Sequence, residues 1–350
     1  MAAAPVDPAV LDAFELQVPA CRDGGSEFTA RILERCIEDL HAGGPVARLV
    51  ADYEGNPFLD AICQRVVGAV QGLVLEGKAP ELSRLHPFAG GTPKWPDVAD
   101  AFVAAIESHL AELRPRMKRQ VQTNEVRRCC GLLGGFLEIA KTTGLPLRLL
   151  EMGSSAGLVM FWDRYRYELG PHRWGDPAAE PLLTCEWTGA PPPLDTPVSV
   201  ASRRGCDLDP IDATDPEALR FIQSFYWADQ LDRMQLLLAA AKALPGPAPI
   251  EKIHGGDFVE REVAELPEGV ATVLYHSTMW WYVPRDEQKW ISATMEAAGA
   301  RATAERPLAW LRSEPPSLDH VEIRLRLWPG GEDRLLGRAQ HHGRWVEWLA

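Results

Sequence analysis

The clearest pattern of ligand-binding residue types lies in the stretch 147–158, Leu-Arg-Leu-Leu-Glu-Met-Gly-Ser-Ser-Ala-Gly-Leu. Its apolar start predicts a buried strand over Leu147–Met152, and the glycines that follow predict a tight turn into a helix. Glycine also lets the backbone approach a ligand closely. Open α/β sheets bind ligands at the carboxyl ends of their strands, beside such turns. The turn therefore predicts a first set of binding residues: Glu151, Gly153, Ser154 and Gly157.

The glycine spacing separates several classes of ligand and reaction. A dinucleotide fingerprint that began at Gly153 would need glycines where Ser155 and Leu158 stand, and an acid at position 151 is unfavourable beside phosphates. Ser155 does fit the Gly-x-Ser-x-Gly pattern of α/β-hydrolases. However, Asp257 and His276 follow it too closely for the usual order of strands in that fold. An NAD-dependent oxidoreductase and an α/β-hydrolase are therefore the less favoured alternatives.

Later stretches carry acids or a histidine at predicted strand ends. Asp207 follows a strand predicted at Pro197–Ala201, and Asp257 follows one at Ile250–His254. His276 ends the fourth predicted strand, where it could act as a general base on an acceptor hydroxyl or amine. Each has a structural alternative: an Asx-turn for Asp207, a helix N-cap for Asp257 and a hydrogen-bonded structural histidine for His276.

An acid followed by Gly-x-x-x-Gly resembles the first motif of S-adenosylmethionine (SAM)-dependent methyltransferases of the doubly wound type. The resemblance implies SAM as the cofactor, with Glu151 and the two glycines shaping the methionine side of its site. It also implies that Asp207 accepts hydrogen bonds from the ribose hydroxyls, since a carboxylate has two acceptor oxygens. Asp257 and Phe258 correspond to the positions that meet the adenine amino group and ring. His276 lies at the strand exit that faces the transferred methyl group.

Polar and aromatic residues around the first strand are candidates for the acceptor site. Gln122, Asn124 and Glu125 enter the predicted helix that precedes this strand, and we expect the beginning of that helix near the ligand crevice. Tryptophans near predicted strand ends or helix starts, together with Tyr282, are expected to wall an apolar acceptor pocket: Trp162, Trp227, Trp280 and Trp281. The alternatives are that Asn124 caps the helix and that most tryptophans pack in the core.

The elements that position these residues change character along the chain. Residues 1–122 have the apolar spacing of amphipathic helices, whereas residues 123–350 alternate short apolar runs with amphipathic ones. Such alternation is typical of βαβ units. We therefore predict a helical N-terminal domain (1–122) and an α/β domain (123–350). The α/β domain is expected to be a doubly wound, mostly parallel sheet of the SAM-methyltransferase type, with an insertion at about 167–197 and a C-terminal hairpin.

The elements predicted for the α/β domain can be given by range. The strands are Leu147–Met152, Pro197–Ala201, Ile250–His254, Ala271–His276, Thr303–Leu311 and His320–Leu327, and the last of these forms a hairpin with Leu335–Trp348 through a turn at 328–331. The helices are Asn124–Thr142, Gly157–Tyr167, Pro216–Ala243, Phe258–Leu266 and Arg285–Ala298.

Composition and charge exclude several kinds of partner. Acids outnumber bases by 13, which disfavours the phosphate attraction on which nucleic-acid binding depends. No apolar run reaches the roughly 20 residues that span a bilayer, and the N-terminus lacks the basic start of a signal peptide. The seven cysteines contain no C-x-x-C pair, and cysteine and histidine show no zinc spacing. We expect a cytoplasmic protein with a small-molecule substrate and no metal, membrane or nucleic-acid partner. The sequence does not indicate an oligomeric state.

The whole chain also resembles a family of uncharacterised bacterial proteins known as a domain of unknown function. The resemblance rests on seven motifs: Gln122-Thr-Asn-Glu125, Glu151-Met-Gly-Ser-Ser-Ala-Gly-Leu158 with Trp162-Asp-Arg-Tyr165, Gly175-Asp-Pro177, Cys185-Glu-Trp187, Gly205-Cys-Asp-Leu-Asp-Pro210, Trp227-Ala-Asp-Gln230 and Trp310-Leu-Arg-Ser-Glu-Pro315. It implies a methyltransferase-like fold and no particular activity. The prediction is thus a SAM-dependent methyltransferase acting on a small molecule. The alternative is a non-catalytic SAM- or nucleoside-binding protein.

Overall fold

A computed structural model describes residues 6–317 and 319–350 of the chain. These residues form two compact units. The first unit contains the chain up to Thr123 together with Pro216–Gln235, and the second contains Asn124–Asp215 and Leu236–Ala350. The sequence analysis predicted a division after residue 122 but not the return of 216–235 to the first unit. None of the described helices is long and apolar enough to cross a membrane.

Helices and strands follow one another along the chain with these bounds. The α-helices are α1 (Pro8–Asp23), α2 (Glu27–Ala42), α3 (Pro45–Val50), α4 (Ile62–Leu75), α5 (Pro80–Ser83), α6 (Asp97–Arg116), α7 (Cys129–Thr143), α8 (Pro216–Gln223), α9 (Leu231–Lys242), α10 (Gly255–Val263) and α11 (Arg285–Gly299). The strands are β1 (Leu147–Met152), β2 (Arg166–Leu169), β3 (His172–Trp174), β4 (Leu182–Thr188), β5 (Val200–Asp207), β6 (Ile250–Lys252), β7 (Ala271–Ser277), β8 (Leu308–Glu314), β9 (Val321–Trp328), β10 (Asp333–Ala339) and β11 (Trp345–Trp348). Short 3-10 helices lie at Pro87–Ala89, Val126–Arg128, Val159–Arg164 and Trp280–Tyr282.

The first unit is held together by buried apolar helix faces and by polar bonds from its second segment. The Asp229 carboxylate accepts hydrogen bonds from the Ser26 hydroxyl (2.6 Å) and the Phe28 N–H (2.9 Å) at the start of α2. The Gln71 side chain on α4 donates to the carbonyls of Ser224 and Tyr226. These bonds satisfy buried backbone groups, so residues 216–235 are an integral part of the first unit.

The second unit is built on a mixed sheet of eleven strands in the order β3-β2-β4-β11-β10-β9-β8-β7-β1-β5-β6. Strands β6, β5, β1, β7 and β8 run parallel, whereas β8, β9, β10 and β11 are successively antiparallel. The α/β class is confirmed, but the sheet is more antiparallel than expected. Among the five parallel strands, β1 lies between β5, which follows it in the chain, and β7. The strand order therefore reverses beside β1, where sheets of this kind bind ligands.

Helices pack on both faces of this sheet. Residues that alternate along a strand point to opposite faces. Tyr275 in β7 packs edge-on against Phe136 of α7. Its neighbour Leu274 joins a core formed largely by α10, α11 and Trp310. Strand β1 is consequently covered on both sides, which explains its nearly continuous apolar sequence.

Two regions depart from the predicted elements of the second unit. The expected insertion at about 167–197 holds three strands, β2, β3 and β4, which extend the sheet through parallel pairing of β4 with β11. The predicted helix Gly157–Tyr167 is instead the 3-10 helix Val159–Arg164, which leads directly into β2. The glycine turn is therefore not followed by an α-helix. The Pro, Gly and Trp content of residues 167–197 predicted an insertion but did not reveal the three strands within it.

Other predicted bounds also shift. The strand predicted at Pro197–Ala201 lies at Val200–Asp207 and contains Asp207 as its last residue. The long helix predicted at Pro216–Ala243 is broken into α8 and α9 by a turn containing Trp227.

Candidate functional site

The glycine turn after β1 lies at the carboxyl edge of the sheet, where the strand order reverses. Gly153 has a φ of 69°, a conformation that L side chains rarely adopt. Its N–H and that of Ser154 both donate to the carbonyl of Cys206 in β5, at 2.9 and 3.0 Å. A Cβ at Gly153 would lie only 2.9 Å from Met279, which follows β7. The turn is thus packed between the ends of β5 and β7, and only glycine fits there.

Asn124 fixes the outer part of this turn. Its Oδ1 accepts the Leu158 N–H at 2.7 Å, and its Nδ2 donates to the Ser154 carbonyl at 3.2 Å. The side chain is buried, so both backbone groups depend on it for hydrogen bonds. Asn124 is not the cap of α7, since Arg128 occupies that position. The sequence predicted Asn124 as an acceptor-binding residue, and the structure gives it the role of positioning residues 154–158.

The other two residues of that polar cluster are also buried. Glu125 belongs to the second unit, and its carbonyl accepts the Arg128 N–H at 3.2 Å. Gln122 belongs to the first unit.

Asp207 is joined to the same turn. Its Oδ2 accepts the Ser155 N–H at 2.8 Å, and its Oδ1 accepts the Asp209 N–H at 2.9 Å. The second bond is an Asx-turn, which was the structural alternative for this residue. Asp207 therefore holds the backbone of the turn and presents its carboxylate at the carboxyl end of β5.

Glu151 and Tyr275 face each other across neighbouring strands. They are register partners in the β1–β7 pairing, and both side chains are buried. Burial raises the pKa of the Glu151 carboxyl well above its usual range, and the nearby Asp207 charge acts in the same direction. Burial likewise raises the pKa of the Tyr275 hydroxyl, and the Glu151 charge reinforces it. The Tyr275 hydroxyl also lies close enough to the Glu151 carboxyl to act on its pKa as a hydrogen-bond donor, which lowers that pKa against the effect of burial, although the contact falls outside standard hydrogen-bond geometry.

Several buried polar atoms around these two residues form no hydrogen bond of standard geometry with the described residues. They are Glu151 Oε2, Ser155 Oγ, Tyr275 Oη, Ser277 Oγ and Thr278 Oγ1. All five lie at or just beyond the carboxyl ends of β1 and β7. Native proteins leave few buried polar atoms unsatisfied, so this group marks a candidate position for a polar ligand.

Backbone strain accompanies this cluster. Ser155 and Thr278 both have a φ of 52°, in the left-handed region that non-glycine residues seldom occupy. Ser155 follows β1 and Thr278 follows β7, so the two strained residues lie at the ends of adjacent strands. Strain of this kind is concentrated at functional sites, where surrounding structure maintains it. Ser155 Oγ has no histidine or acid partner, which disfavours the hydrolase alternative.

His276 is buried and has both ring nitrogens occupied. The Trp310 indole N–H donates to Nε2 at 3.1 Å, which leaves Nδ1 to carry the proton and donate to Glu314 Oε1 at 2.7 Å. Trp280 also stacks on the ring, with centroids 5.0 Å apart. His276 is therefore the hydrogen-bonded structural histidine that was the alternative to a general base. Its Nε2 already accepts a hydrogen bond and is not positioned to remove a proton from an acceptor. His276 instead fixes Glu314.

The remaining predicted residues fall in different surroundings. Asp257 is exposed in the first turn of α10, where His254 is the capping residue. Phe258 is fully buried in the core beneath α10, so no face of its ring is available to an adenine. Trp162 is fully buried and stacks on Phe136 with centroids 4.4 Å apart. Tyr282 is exposed beside Trp281. The structure therefore brings together Glu151, Gly153, Ser154, Asp207 and Asn124, but not Phe258 or Trp162.

Metal binding finds no support in the described part of the chain. Within residues 6–317 and 319–350, no three His, Cys, Asp or Glu side chains are grouped so that they could hold a metal ion. All seven cysteines are buried and reduced.

Residues 11–348 match the protein family described as "Uncharacterized protein conserved in bacteria (DUF2332)". The chain belongs to this family. The predicted resemblance to a bacterial family of unknown function is thereby confirmed. The DUF2332 match includes every site residue described above, and its description names no activity. No curated protein and no solved structure matches the chain.

Proposed function

We propose that the protein is a SAM-dependent methyltransferase that acts on a small-molecule acceptor. The observation that carries this proposal is the group of buried polar atoms at the carboxyl ends of β1 and β7 that lack a hydrogen bond of standard geometry. It coincides with the glycine turn, the two strained residues and the reversal of strand order. Four independent features thus favour one ligand site at this edge of the sheet.

The chemistry of the cluster favours a cationic ligand without phosphates. Glu151 contributes a buried carboxyl. Burial removes water from the charged form of this group, and an ammonium or sulfonium group beside it would compensate for that loss. Dinucleotide sites place the pyrophosphate at the N-terminus of an α-helix. Here the turn leads into the short 3-10 helix Val159–Arg164, which does not supply the dipole of a full α-helix. These features support SAM over NAD.

The residues present fit most of the SAM molecule. Glu151, buried beside the glycine turn, would hold the positively charged methionine side. Asp207, at the end of the adjacent strand, would accept hydrogen bonds from the ribose hydroxyls. Asp257 remains the candidate for the adenine amino group. Phe258 cannot pack on the adenine, because its ring is enclosed in the core.

Bound SAM would supply a methyl group on a sulfonium, which transfers to a nucleophilic acceptor atom. This chain's own contribution would be to orient both molecules and to exclude water. Asn124 and Asp207 keep the turn in place, and the His276–Glu314 pair keeps the exit of β7 in place. Since both ring nitrogens of His276 are hydrogen-bonded within the protein, the acceptor must already be nucleophilic or must lose its proton to water.

The decisive test is titration calorimetry with SAM, S-adenosylhomocysteine and NAD. We expect saturable binding of the first two and none of NAD. Glu151→Gln preserves shape but removes the charge, and it should weaken SAM binding at least about tenfold. Glu268→Gln removes an exposed carboxylate just before β7, at the opposite edge of the sheet, and should leave binding unchanged. No SAM binding by the folded wild type, or equal loss in both variants, would contradict the proposal.

A second candidate function is a SAM- or nucleoside-binding protein without catalysis. This non-catalytic function is favoured because both ring nitrogens of His276 are hydrogen-bonded within the protein and His276 was the only general base predicted for the site. Turnover separates the two functions. Release of S-adenosylhomocysteine in the presence of a panel of small nucleophiles would establish the enzyme. Binding without release from any of them would favour the second candidate.

A further inference from the structure

Three large aromatic side chains are exposed in the two elements that follow β7, the 3-10 helix Trp280–Tyr282 and α11. Trp281, Tyr282 and Trp290 are 41%, 56% and 38% exposed, respectively. We call them the aromatic platform. The Trp281 and Tyr282 rings meet edge to face with centroids 5.7 Å apart, and Trp281 lies parallel to His341 at 6.5 Å. Solvent exposure of so much aromatic surface is unfavourable unless a ligand or partner uses it.

The backbone that carries the platform is rigidly held. The Glu314 carboxylate accepts the N–H groups of Met279 and Trp280, at 3.1 to 3.2 Å. The Gln288 side chain donates to the carbonyls of Trp280 and Val283, at 2.8 and 2.9 Å. Exposed aromatic side chains on a fixed backbone lose little conformational entropy when they bind a ligand.

The platform adjoins the glycine turn. Met279, two residues before Trp281, is the residue that packs against Gly153. At the other end of the platform, Trp290 lies over Gly256 of α10, where a Cβ would be 2.3 Å from the indole. The neighbouring Gly255 packs against Met152 at the end of β1. Both parts of the platform therefore lie beside the proposed cofactor site, where an acceptor must reach the methyl group.

We infer that the aromatic platform binds the methyl acceptor and that this acceptor is a planar aromatic compound. This inference rests on the proposed function for its acceptor role. Two indoles and a phenol offer flat π surfaces, which prefer another ring to a saturated group of equal size. A planar acceptor stacked there would be held beside the turn, without any acid–base residue.

Binding to the platform can be measured without turnover. The protein would be labelled with 5-fluorotryptophan, and its Trp281 and Trp290 fluorine signals assigned with Trp281→Phe and Trp290→Phe. We expect 2-naphthol to shift these two signals saturably. Decahydro-2-naphthol, which is similar in size but saturated, should bind at least about tenfold more weakly. Equal shifts by both compounds, or shifts in other signals alone, would overturn the inference.

Variants locate the site and separate this inference from the proposed function. Trp281→Ala combined with Tyr282→Ala should weaken 2-naphthol binding about tenfold or more and leave SAM affinity unchanged. Leu349→Ala removes another exposed apolar side chain, 48% exposed, and should change neither. SAM binding without 2-naphthol binding would overturn the inference and leave the proposed function standing. Binding of 2-naphthol without SAM binding would overturn the proposed function, and the acceptor role of the platform with it. If the double variant instead lowers the sedimentation coefficient, the platform joins copies of this chain and the inference is wrong.

Discussion

The role of Asn124 leads to a quantitative prediction about both stability and binding. Asn124→Ala removes the bonds to the Leu158 N–H and the Ser154 carbonyl and leaves two buried backbone groups unsatisfied. Each such group costs about 1–3 kcal/mol, so we expect a loss of about 2–6 kcal/mol in the unfolding free energy of the second unit. SAM affinity should fall at least about tenfold even where the variant is fully folded, because the turn is no longer held.

Urea unfolding followed by tryptophan fluorescence measures this loss. Ten of the twelve tryptophans lie in the second unit, since only Trp95 and Trp227 belong to the first. Asn56 provides a matched control: its Oδ1 also accepts two backbone N–H groups, from Phe58 and Leu59, but it is exposed. Water can replace it, so Asn56→Ala should cost less than about 1 kcal/mol in unfolding followed by circular dichroism. Equal effects of the two alanine variants would refute the reasoning.

Three further predictions concern stability. Burial lowers the pKa of His86 from 6.5 to about 4. The unfolded chain therefore binds the proton more readily, and the unfolding free energy should fall by about 3 kcal/mol as the pH drops from about 6.5 to about 4. His86→Phe should flatten that pH profile, and an unchanged profile would contradict the assignment. Glu262, buried beside Arg148 and Arg261, forms ion pairs with both. Glu262→Gln leaves the mostly buried Arg148 without its anion, so a loss of about 3 kcal/mol is expected in urea unfolding, whereas a loss below 1 would be inconsistent with this burial. Ser155→Gly relieves a φ of 52° and should raise the midpoint of thermal unfolding, by an amount equivalent to about 1 kcal/mol; a lower midpoint would show that the residue is not strained.

Local patterns predicted the centre of the second unit well. Strand β1 was predicted with its observed bounds because an apolar run ended by Gly153 has few other interpretations. The class of the fold and the family followed from similar local signals. Strands β2–β4 were missed because short strands in a Pro- and Gly-rich segment depend on pairing with distant β11, which no local pattern records.

The sequence predicted which candidate residues lie at neighbouring strand ends, but not all of their contacts. Sequence reasoning placed Glu151, Gly153 and Asp207 near one another because strand ends meet at one edge of a sheet. It did not reveal that Asn124 accepts the Leu158 N–H and holds the turn, or that the Trp310 indole donates to His276. Each of these hydrogen bonds joins residues 34 positions apart, which no local pattern records. It also missed Tyr275. The sequence gives no sign that this residue differs from other aromatic core residues, because its position opposite Glu151 depends on the β1–β7 register.

The most direct test of the account is calorimetric titration of SAM at several pH values, in two buffers with different ionisation heats. Burial raises the pKa of Glu151, and a bound cation would lower it again. The account predicts that SAM binds saturably with release of a proton, and that its affinity increases with pH through the range in which free Glu151 ionises. Binding without proton release at every pH, or no binding, would contradict it.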